Sequence, residues 1–242
     1  MDYTSKLISY LQKHKFSTTE IADSLGKTGE IPSLLSITGD QYIVGKARCL
    51  FTANGTNYYL HEQIPNIEEG EIALVFTKHC EGMAIFGDIV AKYILEIKKA
   101  AGIVTQGAMR DIDEIRDRKY PIWSIGQTPI GCINKPTMPY PYEEKNTLLH
   151  KYDGCILVCD DCGVVAIPKE YHNQEMLYRL TAMKAQEEVW NYCLDELKWD
   201  TVQTICNKEY LKHPELLPQK YQDKLELLQT NFATEPKKTI EQ

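Results

Sequence analysis

The sequence predicts an α/β fold with a largely parallel sheet, a late β-hairpin and a helical C-terminal extension. Across residues 72–125, apolar runs of strand length alternate with segments of helical periodicity, a pattern typical of parallel βαβ units. Two apolar runs flank the turn residues 160–163 and indicate a hairpin. From about residue 200, apolar positions recur at the spacing of amphipathic helices.

The N-terminal part of the chain predicts two helices before the first strand. Apolar positions at helical spacing indicate a helix within residues 4–16. The string Ser17-Thr18-Thr19-Glu20 has the pattern of a capping box and precedes a second short helix at 20–25. Three elements follow: a strand at 42–50, a short helix at 57–63 and a strand at 72–76.

The middle of the chain supplies the βαβ pattern. In order, we expect a helix with one apolar face at 90–101, a strand at 103–105, a turn at 107–108, a short helix at 111–118 and a strand at 121–125. Parallel strands joined in this way place functional groups at their carboxyl ends. The turn and the short helix are therefore the first place to look for a site.

The last third of the chain begins with a proline-rich loop at 133–147. We expect strands at 148–149 and 155–158, a return strand at 164–167 and then a long helix that closes the domain. This organisation predicts one domain at 1–200. Residues 201–242 form a helical tail whose apolar stripe packs on the core or on a neighbouring subunit.

Composition excludes several classes of protein. Hydrophobic residues make up 43% of the 242 residues, charged residues 25%, and the net charge is −7. No basic cluster exceeds two or three residues, which argues against nucleic-acid binding. No apolar run approaches the ~18 residues of a membrane helix, and charges interrupt the N-terminus, so we expect neither a membrane span nor a signal peptide. The default location is cytoplasmic, with the eight cysteines reduced.

The residues with the clearest chemical potential lie between 86 and 118. Gly87-Asp88 opens a helix, so the backbone N–H groups of about 87–90 can face an anion such as a carboxylate. Arg110-Asp111 follows a strand and a glycine turn; the arginine can clamp a carboxylate and the aspartate can hold a hard cation. Glu114 lies on the same helical face as Asp111. Helix capping and surface ion pairing would use the same residue types, so spacing alone leaves both interpretations open.

The string AAGIVTQGAMRDIDEI resembles the signature GVVxDGxxRDxxE of the RraA-like family. Further similarity occurs in the family's order, from about residue 15 to residue 190. The strings that carry it are STTEIADSLG, YIVGKARCLFT, HEQIPNIEEGEIALV, GDIVAKYILEIKKAAG, SIGQTPIG and VCDDCGVVAIP. The family contains regulators of ribonuclease activity A and 4-hydroxy-4-methyl-2-oxoglutarate aldolases, which are class II pyruvate aldolases.

The resemblance implies an α/β/βα swivelling-type single domain with a C-terminal helical extension, assembled as a homotrimer or hexamer. It implies that Arg110 binds an α-keto acid, that Asp111 holds Mg²⁺ or Mn²⁺ and that Glu114 acts through metal-bound waters. The turn at Gly87 and the backbone amides of Asp88, Ile89 and Val90 would hold the pyruvyl group, and Asp88 would orient a water that protonates the enolate.

The function that follows is a metal-dependent lyase that cleaves or decarboxylates an α-keto acid to give pyruvate, like an aldolase or an oxaloacetate decarboxylase. Two alternatives stay open: a non-catalytic RraA-type regulator that binds a protein, and a related enzyme with a sugar-derived substrate. The sequence departs from the family pattern at Gln106, where aspartate is usual, and in the loops at 77–86 and 136–144.

Overall fold

The computed structural model describes residues 2–233, and the chain divides into two compact units between Asn173 and Gln174. The boundary that the sequence predicts, between residues 200 and 201, falls inside the second unit. Residues 234–242, the end of the predicted tail, lie outside the described residues.

Helices and strands alternate through most of the first unit, and helices α7, α8 and α9 form the second. The helices are α1 (Tyr3–His14), α2 (Thr18–Ser24), α3 (Tyr58–Gln63), α4 (Asp88–Lys92), α5 (Ile112–Asp117), α6 (Tyr142–Tyr152), α7 (Gln174–Asp195), α8 (Glu209–Lys212) and α9 (Gln219–Ala233). The strands are β1 (Leu35–Ser36), β2 (Ile43–Ala53), β3 (Ile72–Lys78), β4 (Ala84–Phe86), β5 (Gly102–Thr105), β6 (Ala108–Met109), β7 (Ile122–Ser124), β8 (Ile156–Asp160) and β9 (Gly163–Ile167). A π-helical turn, Tyr93–Ile97, continues α4.

Seven strands form the central sheet in the order β1-β7-β5-β3-β2-β8-β9. The strands β7, β5, β3 and β2 are parallel, with Ile72 opposite Ala47 on one side and Gly102 on the other. At the edges, β1 runs antiparallel to β7, and β8 and β9 form an antiparallel hairpin beside β2. The predicted parallel βαβ core and the late hairpin are therefore confirmed.

Both faces of the parallel strands are buried. Along β3, Leu74 packs in one hydrophobic cluster and Val75 in the other, because successive side chains of a strand point to opposite faces. The same division separates Ile122 from Trp123 on β7. Strands covered on both faces have continuous apolar runs rather than an alternating pattern, which is what the sequence shows in this region.

Two local predictions have opposite outcomes. The capping box is confirmed, since the Glu20 amide donates to Ser17 Oγ at 3.2 Å and the Ser17 amide donates to Glu20 Oε2 at 2.7 Å. The strand predicted at 148–149 is wrong, because both residues lie in α6. Helix α6 begins directly after Pro141 and has two glutamates in its first turn, where negative charge stabilises a helix.

The second unit is helical, with a core of its own. The residues of this core come from α7, α8, α9 and the segment before α9: Ala182, Ala185, Val189, Cys193, Tyr210, Leu217, Leu225 and Leu228. Trp190 on α7 donates a hydrogen bond to the hydroxyl of Tyr210 at 3.2 Å. Among residues 2–233, no helix has the length and apolar character needed to cross a membrane.

Candidate functional site

Two short parallel strands bring the predicted site residues together. Strand β4 pairs with β6, with Ala84 opposite Ala108 and Phe86 opposite Met109. Helix α4 follows β4 after the single residue Gly87, and Arg110 and Asp111 follow β6. Because parallel strands present their carboxyl ends at one edge, the start of α4 meets the Arg110-Asp111 pair there.

Gly87 makes room for the carboxylate of Asp111. A Cβ atom at Gly87 would lie 1.9 Å from Asp111 Oδ2 and 2.9 Å from its Cγ, so no larger residue fits without moving the aspartate. Asp111 itself has left-handed backbone angles (φ 57°, ψ 45°) and makes no side-chain capping bond to α5. Helix capping was one of the two roles that the sequence left open for Asp111, and its side chain does not cap α5.

The guanidinium of Arg110 lies between Asp111 and Gly131. Its Nε is 3.6 Å from Asp111 Oδ2, and the two side chains are 47% and 41% exposed. A Cβ atom at Gly131 would lie 2.6 Å from Arg110 Nη1, so the guanidinium rests directly on that backbone. An ion pair this exposed contributes at most ~1 kcal/mol to stability, and stability alone does not account for the arrangement.

Arg110 and Asp111 line an open cleft of about 370 Å³. Met109 and Ile112 belong to the same segment, and the rest of the lining comes from Gln127, Thr128 and Pro129. Backbone hydrogen bonds hold this second segment along β6: Met109 donates to Gly126 O, and Thr128 donates to Met109 O, both at 3.0 Å. Sequence reasoning missed Gln127–Pro129 as site residues, although they come shortly after the parallel strand β7, and that position was the available signal.

The predicted anion-binding segment lies at the start of α4. Asp88 is the first residue of that helix, whose cap residue Gly87 provides no side-chain hydrogen bond. The exposed side chain of Ile89 and that of Val90 line a different, smaller cavity of about 290 Å³, together with His61, Ile64, Pro65 and Tyr93. For Ile89 and Val90 only the backbone therefore remains a candidate for contact with a ligand in the larger cleft, and that role stays a prediction.

Asp88 interacts electrostatically with Arg118. The pKa of the Arg118 guanidinium is raised, first by its hydrogen bond with Tyr120 and in smaller part by the carboxylates of Glu96 and Asp88. Asp88 thus lies within the electrostatic reach of Arg118, which follows the end of α5. Its predicted part in proton transfer stays a prediction.

The metal-binding residues that the sequence suggests, Asp111 and Glu114, lie at the N-terminus of α5, and both are exposed. Within residues 2–233, no group of three or more His, Cys, Asp or Glu side chains could hold a metal ion. The part of the chain described thus does not fit a closed cage of protein ligands. Mg²⁺ is usually held by one or two carboxylates together with water and ligand oxygens, so Asp111 and Glu114 are the residues that would hold such a cation, and this role stays a prediction.

A protein-family model of the RraA-like family, described as Aldolase/RraA, matches residues 18–166. This range includes Gly87, the Arg110-Asp111 pair and Glu114. A relative from Halalkalibacterium halodurans, named as a proposed 4-hydroxy-4-methyl-2-oxoglutarate aldolase, is 26% identical over 189 residues. That alignment covers 71% of this chain and 81% of the relative.

Solved structures of similar fold include two with broad coverage. One is RraAS2 of Streptomyces coelicolor, described as an unusual member of the RNase ES inhibitor RraA protein family. It has a TM-score of 0.61 and 21% identity, over 76% of this chain and 94% of that one. The other, an uncharacterized protein from Pseudomonas syringae, has a TM-score of 0.60 and 20% identity, over 78% of this chain and 92% of that one. At these identities the likeness establishes the fold alone.

Proposed function

Because the chain belongs to the RraA-like family, we propose that it is a carbon–carbon lyase that acts on an α-keto acid. In this proposal the enzyme depends on Mg²⁺ or Mn²⁺ and releases pyruvate, either by aldol cleavage or by decarboxylation of a substrate such as oxaloacetate. The name of the Halalkalibacterium halodurans relative supports an aldolase. The cytoplasmic location predicted from the sequence also stays a proposal.

The observation that carries the proposal is the position of Arg110 and Asp111. Their charged groups lie 3.6 Å apart in one cleft, and each lies against a glycine, where a Cβ atom would displace it. A guanidinium beside a carboxylate provides a donor for an anionic ligand and an oxygen ligand for a hard cation. An α-keto acid bound to a divalent cation needs both.

Each residue then has a distinct task. Arg110 donates hydrogen bonds to the carboxylate or keto oxygen of the substrate and favours the enolate that forms when the adjacent carbon–carbon bond breaks. Asp111 would hold the cation, and Glu114 would assist through water molecules bound to it. When bound, a divalent cation polarises the keto group as a Lewis acid.

The start of α4 completes the proposed site. Backbone amides of Asp88, Ile89 and Val90, after the turn at Gly87, contact the pyruvyl group, and Asp88 orients the water that protonates the enolate. We also propose a homotrimer or hexamer with the sites between subunits. This assembly would cover a cleft that is open in the single chain.

The test is pyruvate release from oxaloacetate and from 4-hydroxy-4-methyl-2-oxoglutarate, with Mg²⁺, with Mn²⁺ and with chelator. The wild type is compared with Asp111→Ala and with Asp117→Ala, an exposed acid at the far end of the same helix. We expect turnover that needs the metal, is lost in Asp111→Ala and is kept in Asp117→Ala. Equal loss in the two variants would mean that the site is not at Asp111.

The second candidate function is a non-catalytic regulator that binds a protein. The favouring observation is that Asp111 and Glu114 have no third metal-binding side chain clustered with them in the described residues. A protein that neither binds Mn²⁺ nor releases pyruvate would favour this function. A protein that binds Mn²⁺ at Asp111 but leaves both α-keto acids intact would favour a related enzyme with a sugar-derived substrate.

A further inference from the structure

The cleft beside Arg110 has a second wall that carries no charge. Within the described residues, Arg110 is the only cation that lines the cleft and Asp111 is the only anion. The facing wall consists of Gln127, Thr128 and Pro129. The proposed function already assigns Arg110 and Asp111 to the keto-acid end of the substrate and its cation. The facing wall is therefore available to the other half of the substrate.

The backbone of this wall is held in place beside Arg110. Gln127 lies opposite Met109 in a parallel bridge, and Met109 directly precedes Arg110 in the chain. The Met109 amide donates to Gly126 O and the Thr128 amide donates to Met109 O, both at 3.0 Å, so a hydrogen bond lies on each side of Gln127. Backbone pairing therefore sets the position of Gln127 independently of its side chain, and that side chain can be changed without removing the pairing.

Gln127 provides the free polar group of this wall. The Thr128 hydroxyl donates to Gly82 O and accepts from the Ile130 amide, both at 3.4 Å, so it is engaged within the protein. Gln127 is exposed, and within residues 2–233 its side-chain amide has no hydrogen-bond partner. A primary amide has two N–H donors and one carbonyl acceptor. It can therefore both donate to and accept from a single hydroxyl group of a ligand.

We propose that Gln127 determines which leaving half the enzyme accepts, and that the substrate is a 4-hydroxy-2-keto acid whose leaving half is uncharged and carries a hydroxyl group. This inference rests on the proposed lyase function. The Gln127 amide binds that hydroxyl group, while Met109, Ile112 and Pro129 provide apolar contacts for the carbon chain. A second carboxylate in the same place would have no cation to pair with on this wall, and an unpaired charge is costly where water is displaced.

The cleavage needs no further reactant. The bond between C3 and C4 of the substrate breaks, and its electron pair goes to C3 to form the enolate of pyruvate. The C4 hydroxyl group loses its proton to water as it becomes the carbonyl group of an aldehyde, and the enolate takes up a proton at C3. One keto acid thus gives one pyruvate and one hydroxyaldehyde. The same steps in reverse are an aldol addition, so the choice of leaving half can be measured with pyruvate and free aldehydes.

The experiment measures the addition of pyruvate to three aldehydes by proton NMR, with the full-length protein, Mg²⁺ and saturating pyruvate. Glycolaldehyde carries the hydroxyl group, propanal has a methyl group of similar size in its place, and glyoxylate carries a carboxylate. We expect kcat/KM for glycolaldehyde to exceed that for propanal roughly fivefold, the effect of one net hydrogen bond. We expect it to exceed kcat/KM for glyoxylate roughly tenfold, because the carboxylate is unpaired.

Variants of Gln127 test whether its amide sets this preference. Gln127→Ala is expected to abolish the preference for glycolaldehyde over propanal. Gln127→Arg is expected to raise kcat/KM for glyoxylate relative to glycolaldehyde roughly tenfold, because a guanidinium pairs with a carboxylate. The control Gln174→Arg adds the same charge at an exposed glutamine of α7 that does not line the cleft, and it is expected to keep the wild-type preference.

A second measurement separates this inference from the lyase function. Exchange of the pyruvate methyl protons in D₂O, followed without any aldehyde, reports the keto-acid end of the site alone. Each protein's aldol rate is divided by its own exchange rate, so that a general loss at the keto-acid end cancels. Metal-dependent exchange in a wild type that prefers glyoxylate, or whose preference survives in Gln127→Ala, would overturn the role of Gln127 and leave the lyase standing. A wild type that exchanges no protons would overturn the lyase and this inference with it.

Discussion

Replacing Gly87 with alanine tests whether the glycine sets the position of the Asp111 carboxylate. The backbone at Gly87 is extended (φ −128°, ψ −156°), a conformation that alanine adopts readily. The added methyl group would instead meet Asp111 Oδ2 at 1.9 Å and Arg110 Cγ at 3.1 Å. The perturbation is therefore directed at the two charged side chains and not at the fold.

The expected magnitude follows from the displacement. To reach ordinary contact with the new methyl group, Asp111 Oδ2 must move by about 1.5 Å. A misplacement of about 1 Å in a catalytic group costs roughly 100-fold in rate, so we expect kcat/KM for pyruvate release to fall by about that factor. Since the Asp111 side chain is 41% exposed and can turn toward solvent, we expect the free energy of unfolding to fall by less than ~1 kcal/mol, below the usual range for overpacking.

The assay is a double-mutant cycle with Asp111→Ala, in which pyruvate release and Mn²⁺ affinity are both measured. If Gly87→Ala acts through Asp111, it has little further effect once Asp111 is alanine. The reasoning would be refuted by a Gly87→Ala protein with activity within threefold of the wild type. A double variant far less active than Asp111→Ala would refute it as well, because the methyl group would then act elsewhere.

Three more predictions concern binding and stability. Arg110→Lys keeps the charge but loses the planar fork, and we expect KM for the α-keto acid to rise roughly 10- to 100-fold in steady-state kinetics. Glu71 is 3% exposed and accepts two hydrogen bonds from Arg48, both at 2.9 Å. Burial alone would raise the pKa of Glu71, but the hydrogen bonds and the neighbouring positive charges outweigh burial, so the pKa is lowered. Glu71→Gln should lower the free energy of unfolding, measured in urea at pH 7, by about 2 kcal/mol. This loss relative to wild type should be complete above pH 4.5 and should disappear as the pH falls through the lowered pKa of Glu71. The exposed control Glu69→Gln should change the free energy of unfolding by less than ~0.5 kcal/mol. Trp123 is fully buried and donates to Asp160 O at 2.7 Å, so Trp123→Ala should lower the free energy of unfolding by roughly 3–5 kcal/mol.

The sequence predicts the first unit well where the pattern is long or chemically specific. The capping box at Ser17 and Glu20 and the hairpin of β8 and β9 each depend on local chemistry that few other structures satisfy. The pair 148–149 carried no such information, because two adjacent apolar residues have no period and fit a helix as well as a strand. In α6 both side chains are partly buried against the sheet.

The division of the chain after Asn173 is harder to predict. Apolar residues on α7 fit a helix that packs on the preceding sheet as well as one that packs on later helices, since a helical pattern identifies a buried face but not its partner. In the structure, Ala182, Val189 and Cys193 share a core with residues of α9. Whether α7 packs on the sheet or on the later helices is decided by contacts between residues far apart in the sequence, which a local pattern does not reveal.

The site shows the same limit more sharply. The apolar run at 103–105 and the glycine turn predict that Arg110 and Asp111 follow a strand, but the strand they directly follow is β6, which includes Ala108, a residue that the sequence assigns to the turn. That Gln127 and Thr128 form the facing wall is not, because residues 126–133 reach β4 and β6 through backbone hydrogen bonds that are independent of side-chain type. The roles of Gly87 and Gly131 are also invisible in the sequence, since both depend on which atoms lie where a Cβ would be.

The N-terminus of α5 differs from those of α1 and α2. Asp2 and Ser17 cap α1 and α2 with extended backbones, and each side chain accepts a hydrogen bond from the amide three residues later. Asp111 occupies the corresponding position of α5 with a left-handed backbone and no capping bond. Aspartate adopts the left-handed conformation more readily than most residues with a side chain, but the omitted cap forgoes about 1 kcal/mol. Lys208 begins α8 with the same left-handed backbone and no capping bond; what distinguishes Asp111 is that its carboxylate lies against Gly87 and beside the Arg110 guanidinium.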